Sequence, residues 1–292
     1  MYTTLIEPAQ LATALASNGS DWAVLDCRFD LARPQWGEAA YAAGHVPGAL
    51  YAHLDRDLSA PVSAGSGRHP LPETQRLAET FGRWGIDAGV QVVAYDQGNG
   101  AYAARLWWLL RWAGHQKVAV LDGGFAAWQQ AGLPIETAVI QRQPRVFSFH
   151  ATANQVVSTA ELERAVRDGA LGRDDRSVLV DARAEDRFAG ENETIDPIAG
   201  HIPGALNHPF SRNLDPAGRF LAATVLRERW TATLGGATTQ AGQVIAMCGS
   251  GVTACHNLLA LEVAGLPAGR LYAGSWSEWI RDPARPVIRG PS

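Results

Sequence analysis

The chain has 292 residues, 47% of them hydrophobic and 18% charged, which is apolar material enough for full cores in about two domains. Its net charge of −4 and its scattered Lys and Arg form no basic run or stripe, which argues against a charge-driven nucleic-acid binder. Three cysteines in this length exclude a disulfide framework, and no apolar run approaches the roughly 20 residues of a membrane span.

The opening stretch Tyr2-Thr3-Thr4-Leu5-Ile6-Glu7 lacks the basic and apolar regions of a signal peptide. With so few cysteines, the expected compartment is a reducing cytoplasm. The first predicted element is Trp22-Ala23-Val24-Leu25-Asp26-Cys27-Arg28, a short apolar run ending in Asp that reads as a buried strand feeding a polar loop. Gly44-His45-Val46-Pro47-Gly48-Ala49-Leu50 follows. A second buried strand, Val90-Gln91-Val92-Val93-Ala94-Tyr95, runs into Asp96-Gln97-Gly98-Asn99-Gly100 and then a helical stretch over 101–113. A third strand leads to Leu121-Asp122-Gly123-Gly124-Phe125-Ala126-Ala127-Trp128. Residues 140–155 carry neither period and read as a linker.

Beyond the linker the same series begins again. Ser177-Val178-Leu179-Val180-Asp181-Ala182-Arg183 repeats the first strand, and Gly200-His201-Ile202-Pro203-Gly204-Ala205-Leu206 repeats the His motif. Gln243-Val244-Ile245-Ala246-Met247 is the second strand, followed by Cys248-Gly249-Ser250-Gly251-Val252-Thr253 and a helical stretch over 252–264. Tyr272-Ala273-Gly274-Ser275-Trp276-Ser277-Glu278-Trp279 closes the series. The spacings agree as well: His45 to Asp96 is 51 positions and His201 to Cys248 is 47, while Asp96 to Gly123 is 27 and Cys248 to Gly274 is 26. Strands alternating with helices imply parallel strands joined by right-handed crossovers. The expected fold class is therefore α/β, as two tandem domains, each a mainly parallel sheet flanked by helices. The expected division is 1–139, a linker over 140–155, and 156–292.

The loop from Cys248 to Thr253 lies where an open α/β sheet binds ligands, past the carboxyl end of a strand. Gly249 and Gly251 let successive N–H groups turn inward as an anion-binding nest, and the helix beginning near Val252 adds its positive end. A thiol there should be largely thiolate, a nucleophile. A free cysteine is more often a small buried residue, but the glycines and the strand-to-helix position reverse that weighting for Cys248. In the first copy Asp96 stands in its place, and a carboxylate cannot form a persulfide. Cys27 reads as structural, and Cys255 lies two helical turns from Cys248, too far for a ready disulfide. A cysteine phosphatase needs an Arg six residues after its Cys, and here that residue is Ala254. A non-catalytic sulfur- or anion-binding module is the rival from outside enzymology.

With these residues in place, the chain resembles the tandem-domain rhodaneses from about residue 4 to 287, and within them the 3-mercaptopyruvate-type sulfurtransferases. The resemblance is carried by the two Gly-His-Val/Ile-Pro-Gly-Ala segments, the Cys248–Thr253 loop and Gly274-Ser275-Trp276-Ser277-Glu278-Trp279. It implies sulfur transfer from 3-mercaptopyruvate, through a Cys248 persulfide, to a thiol acceptor such as thioredoxin or to cyanide. No metal or organic cofactor is implied, and no nucleic acid or membrane partner. Thiosulfate is the alternative donor; the neutral Gly249-Ser250-Gly251 favours mercaptopyruvate, because thiosulfate-specific members carry basic residues after the Cys. The resemblance further implies a Ser-His-Asp set drawn from both domains, with Ser250, His69 and Asp55 in those roles. On local sequence alone His69 reads as an exposed loop histidine. Donor binding falls to Arg187 and the loop residues Gly249, Gly251, Val252 and Thr253. A second arginine that some members carry is absent from 191–199, whereas Arg183, like Arg28, reads as a tie at a strand end.

Overall fold

In a computed structural model the chain is described over residues 1–18, 21–172, 177–235 and 243–291. It divides into two compact units: Met1–Ala60 with Leu71–Thr152 and Pro216–Phe220, and Pro61–Pro70 with Ala153–Asp215 and Leu221–Ser292.

The first unit runs β1 (Leu5–Ile6), α1 (Pro8–Asn18), β2 (Trp22–Asp26), α2 (Trp36–Ala43), β3 (Ala49–Tyr51), α3 (Thr74–Arg83), β4 (Gln91–Tyr95), α4 (Ala103–Trp112), β5 (Val118–Leu121) and α5 (Gly124–Gln130). Its sheet has the order β1-β5-β4-β2-β3, with every pairing parallel. The central strand β4 is buried at all five residues, which is why its sequence from Val92 to Tyr95 is a continuous apolar run rather than an alternation. Ile6, Leu11, Val24, Val93, Leu121 and Trp128 meet in the core on one face. The stretch after α5 packs along this unit: the Arg145 N–H donates to the Gly82 carbonyl at 2.9 Å, and Phe147 meets Phe81 edge-on at 5.1 Å.

The second unit runs α6 (Thr159–Arg167), β6 (Val178–Asp181), α7 (Glu185–Ala189), β7 (Leu206–Asn207), a 3-10 turn at Phe210–Asn213, α8 (Ala223–Thr233), β8 (Val244–Met247), α9 (Thr253–Val263), β9 (Arg270–Leu271) and α10 (Ser275–Trp279). Its parallel sheet has the order β7-β6-β8-β9. Where the first unit has β1 beside β5, here Val156 makes a single parallel bridge to Leu271. A capping box opens α6, with the Ser158 hydroxyl accepting from the Glu161 N–H and the Glu161 carboxylate accepting from the Ser158 N–H. Trp276 and Trp279 are fully buried with Phe188, Ile245 and Met247, and a buried Trp is worth about 3–5 kcal/mol against Ala.

The repeated motifs have repeated structural duties. In the first unit the buried His45 ring stacks on Tyr41 at 4.0 Å with Nδ1 against the Tyr41 carbonyl; in the second, His201 stacks on Phe188 at 3.7 Å with Nδ1 against the Phe188 carbonyl. Arg28 pairs with Asp26 and donates to the Gly44 carbonyl, and Arg183 pairs with Asp181 and donates to the Gly200 carbonyl. Each guanidinium also lies over an aromatic ring, Phe125 at 4.2 Å and Trp276 at 4.6 Å. Arg28 and Arg183 are therefore ties at strand ends, as their sequence positions indicate.

Candidate active site

Strand β8 is buried at all four residues and ends at Met247, so Cys248 emerges at the carboxyl edge of the sheet. The following loop is clamped to the start of α10. The Cys248 carbonyl accepts from the Trp276 N–H at 3.0 Å, and the Gly249 carbonyl accepts from the Ser277 N–H at 2.9 Å. Gly251 has φ +78°, and a Cβ there would lie 2.4 Å from the Ala273 carbonyl oxygen, so only glycine fits. This turn brings the N–H groups of Gly251 and Ser250 to 3.1 and 3.5 Å from the Cys248 Sγ, just ahead of α9. Cys248 is 2% exposed. Backbone dipoles directed at a sulfur stabilise negative charge on it.

The first unit builds the same turn around a different atom. The Asp96 carbonyl accepts from the Phe125 N–H at 2.8 Å, and the Gln97 carbonyl from the Ala126 N–H at 2.9 Å. The Asp96 carboxylate then fills the cradle, accepting from the N–H groups of Gly98, Gly100, Tyr102 and Ala103 at 2.9–3.2 Å. Full burial nevertheless pushes its pKa upward, against the pull of those four donors.

One contributor escapes the sequence reading. Ser275 occupies the place of Gly124 and has φ +53°, in the left-handed region where a non-glycine residue is strained. Its Oγ accepts from the Cys248 N–H at 3.1 Å and donates to the Tyr272 carbonyl at 2.9 Å. The signal was a serine in one copy where the other has glycine.

The Pro61–Pro70 segment belongs to this second unit. The Gly67 N–H donates to the Glu278 carboxylate at 3.2 Å and the Arg68 N–H to the Ser277 Oγ at 3.0 Å. These bonds hold His69 with its Nδ1 2.7 Å from the Ser250 Oγ. Both side chains are buried, at 4% and 7% exposure, so His69 is not the solvated loop histidine that its local sequence describes.

On α7, Arg187 lays Nε against both Glu193 oxygens at 3.0 and 3.1 Å, and its Nη2 reaches Glu193 at 2.9 Å and Asp196 at 3.1 Å. Burial pushes the Glu193 carboxyl up, but Arg187 and the N–H groups of Ile195 and Asp196 outweigh it and hold it low. Arg68 reaches the same Asp196, with Nη1 2.7 Å from Oδ1. A Cβ on Gly249 would lie 3.3 Å from Arg68 Nη2 and 3.6 Å from Arg187 Nη2. Two guanidinium groups therefore face the residue next to Cys248, one of them unforeseen. The stretch that lacks an arginine instead supplies two carboxylates, Glu193 and Asp196, that hold these two.

Cys248, Ser250, His69, Arg187, Gly249 and Gly251 thus come together in one unit, with Val252 and Thr253 leading into α9. Asp55 belongs to the first unit, exposed, with its N–H donating to His53 Nδ1 at 3.1 Å. Cys27 is buried, and burial, then Asp26, Asp96 and Asp57, push its thiol pKa well up, the opposite of an activated nucleophile. The buried Cys255 Sγ donates to the Gly251 carbonyl at 3.4 Å, bracing the loop from beneath. No cluster of three or more His, Cys, Asp or Glu that could hold a metal occurs among the described residues.

Comparison with known proteins decides the family. The rhodanese-like domain family matches residues 7–131 and again 158–282. The chain belongs to the rhodanese-like family. A Pseudomonas aeruginosa protein named "Probable 3-mercaptopyruvate sulfurtransferase" is 49% identical over 288 residues, covering 98% of each chain. The thiosulfate sulfurtransferase of Rattus norvegicus is 33% identical, covering all of this chain and 97% of its own. Among solved structures, the 3-mercaptopyruvate sulfurtransferase from Leishmania major superposes with a TM-score of 0.80 at 30% identity, covering 95% of this chain and 74% of its own. In this rhodanese-like chain both copies keep the turn past the second long strand, and only the second copy puts sulfur in it.

Proposed function

We propose that the chain is a sulfurtransferase that moves sulfur from 3-mercaptopyruvate to a thiol, such as that of a reduced thioredoxin, or to cyanide. The observation that carries this reading is the Cys248 sulfur faced by the Ser250 and Gly251 N–H groups, beside a hydroxyl bonded to a buried histidine. The domain with the nucleophile is residues 156–292; residues 1–139, with Asp96 in the cysteine position, form the domain without one, though this stretch of sequence also carries His69 and Asp55, and 140–155 is the linker. The compartment is the cytoplasm; no described helix is long and apolar enough to cross a membrane.

In the first step the Cys248 thiolate attacks the donor sulfur and forms an S–S bond. The donor's carbon–sulfur bond breaks, its electron pair leaves on the carbon as the enolate of pyruvate, and the outer sulfur stays on the enzyme as a persulfide. The enolate takes one proton to become pyruvate. Ser250 hands over that proton, with His69 and then Asp55 behind it as the relay. The loop amides of Gly249 to Thr253 steady the negative charge, and Arg187 holds the donor carboxylate. In the second step a thiolate or cyanide attacks the outer sulfur, the S–S bond breaks, and the pair returns to Cys248 as thiolate.

The relatives carry names of both donor types, so thiosulfate is the second reading. The neutral Gly249-Ser250-Gly251 side chains favour mercaptopyruvate over a doubly charged inorganic donor. Rates with the two donors test the choice: mercaptopyruvate turnover should be the faster, and thiosulfate turnover equal to it or greater would reverse the assignment.

A further inference from the structure

We infer that Ser277 and Glu278, in α10, are positioning residues for proton transfer: they hold the segment around His69 and the loop around Ser250 at one fixed reach. The inference rests on the reading of Ser250 and His69 as the proton relay. Ser277 is bonded on both sides. Its N–H donates to the Gly249 carbonyl at 2.9 Å, which fixes the loop, and its Oγ accepts from the Arg68 N–H at 3.0 Å, which fixes the residue before His69. Glu278 adds a second hold on that segment, its carboxylate accepting from the Gly67 N–H at 3.2 Å. The other carboxylate oxygen accepts from the hydroxyl of Thr159, the first residue of α6, and the Tyr272 hydroxyl lies 3.1 Å from that of Thr159. The fit is close: a Cβ on Gly67 would lie 2.5 Å from the Gly274 carbonyl oxygen and 3.0 Å from the Ser277 Oγ, so only glycine brings the segment this near.

The two copies separate this duty from that of the turn. Ala126 stands in the place of Ser277 and Ala127 in the place of Glu278, and the Ala126 N–H donates to the Gln97 carbonyl at 2.9 Å just as the Ser277 N–H does to Gly249. The backbone clamp on the loop therefore needs neither side chain. The hydroxyl and the carboxylate occur only in the copy that holds the thiol, and there both accept from the segment that carries His69. That segment has no helix or strand of its own to place it. Proton transfer needs its partners within hydrogen-bond reach, and a displacement of about 1 Å costs on the order of a hundredfold in rate.

The test reads the two half-reactions of the full chain separately. Pyruvate release from 3-mercaptopyruvate in a single turnover without acceptor needs the proton; thiocyanate release from the loaded persulfide on adding cyanide does not. Ser277→Ala and Glu278→Ala should each slow pyruvate release about ten- to a hundredfold and leave thiocyanate release at the wild-type rate, which also shows that the site is folded. Glu278→Gln should recover most of the loss, since its amide oxygen still accepts from Gly67. In a His69→Asn background Ser277→Ala should cost nothing further, because it acts only through His69. Pyruvate release unchanged in both alanine variants, an equal loss in both half-reactions, or losses that multiply with His69→Asn would each overturn the positioning role and leave the relay standing. Wild-type pyruvate release in His69→Asn itself would overturn the relay, and this inference with it.

Discussion

The Nδ1 of His69 lies 2.7 Å from the Oγ of Ser250, and Ser250 sits two residues past Cys248 with its own N–H directed at the sulfur. One short loop therefore directs a backbone N–H at the Cys248 sulfur and holds a hydroxyl against a histidine ring. Ser250→Ala and His69→Asn should each slow turnover by about 10²–10⁴, the range of a positioned acid–base group. If the two act as the one relay proposed above, the double variant should be little worse than either single one. Steady-state rates with 3-mercaptopyruvate for the three variants measure this, and losses that multiply would show independent roles.

Asp96 should matter to the fold and not to the chemistry. Its carboxylate satisfies four buried N–H groups, and Asp96→Ala strands them at roughly 1–3 kcal/mol for each that water cannot reach. Denaturant titration should show a loss of at least about 2 kcal/mol, while the folded variant transfers sulfur at a near wild-type rate.

Ser275→Gly exchanges two opposed effects. Glycine relieves a left-handed backbone, worth on the order of 1–2 kcal/mol, but removes the hydroxyl that accepts from the Cys248 N–H. Stability should change by less than about 1 kcal/mol, and the transfer rate should fall about tenfold as the nucleophile's backbone loses its anchor. Thermal unfolding and persulfide formation rates, taken together, separate the two effects.

Acid should loosen the second unit through His208. This ring is fully buried, stacked on Trp230 at 4.0 Å, with its nitrogens against Thr233 Oγ1 and Asn213 Oδ1. Burial above all pushes its pKa down to about 4, from an ordinary value of 6.5. Folding thus favours the neutral ring, so this contribution is fully present above pH 6.5 and is lost as pH falls from there through about 4. The loss is on the order of 2–3 kcal/mol. Unfolding midpoints measured between those pH values should slope steeply in the wild type and more gently in His208→Gln.

The sheets were legible because buried parallel strands must be continuous apolar runs. Val244 to Met247 and Val92 to Tyr95 are such runs, and a repeated series of them defines the topology. The Cys248 turn was legible for a related reason, since Gly251 is the residue its backbone demands. Arg68 and Ser275 were not. The segment around Arg68 has no helical or strand period, and its membership of the second unit depends on bonds from Gly67 and Arg68 to Glu278 and Ser277, some 210 residues away. Ser275 looks like an ordinary helix-start serine, and only its φ of +53° reveals the duty it shares with Gly124. The 191–199 stretch holds no arginine, but Arg68 brings a second guanidinium to Gly249 from elsewhere in the chain, and spacing along one segment does not report that.

The central claim is that sulfur travels on Cys248 and on neither of the other thiols. Intact-protein and peptide mass spectrometry after exposure to 3-mercaptopyruvate, without acceptor, tests it most directly. The wild type should gain one sulfur atom on the peptide holding Cys248, the gain should vanish when thiol acceptor or cyanide is added, and Cys248→Ser should gain none. A wild-type protein that gains nothing covalent, or a sulfur found on Cys27 or Cys255 instead, would contradict the account.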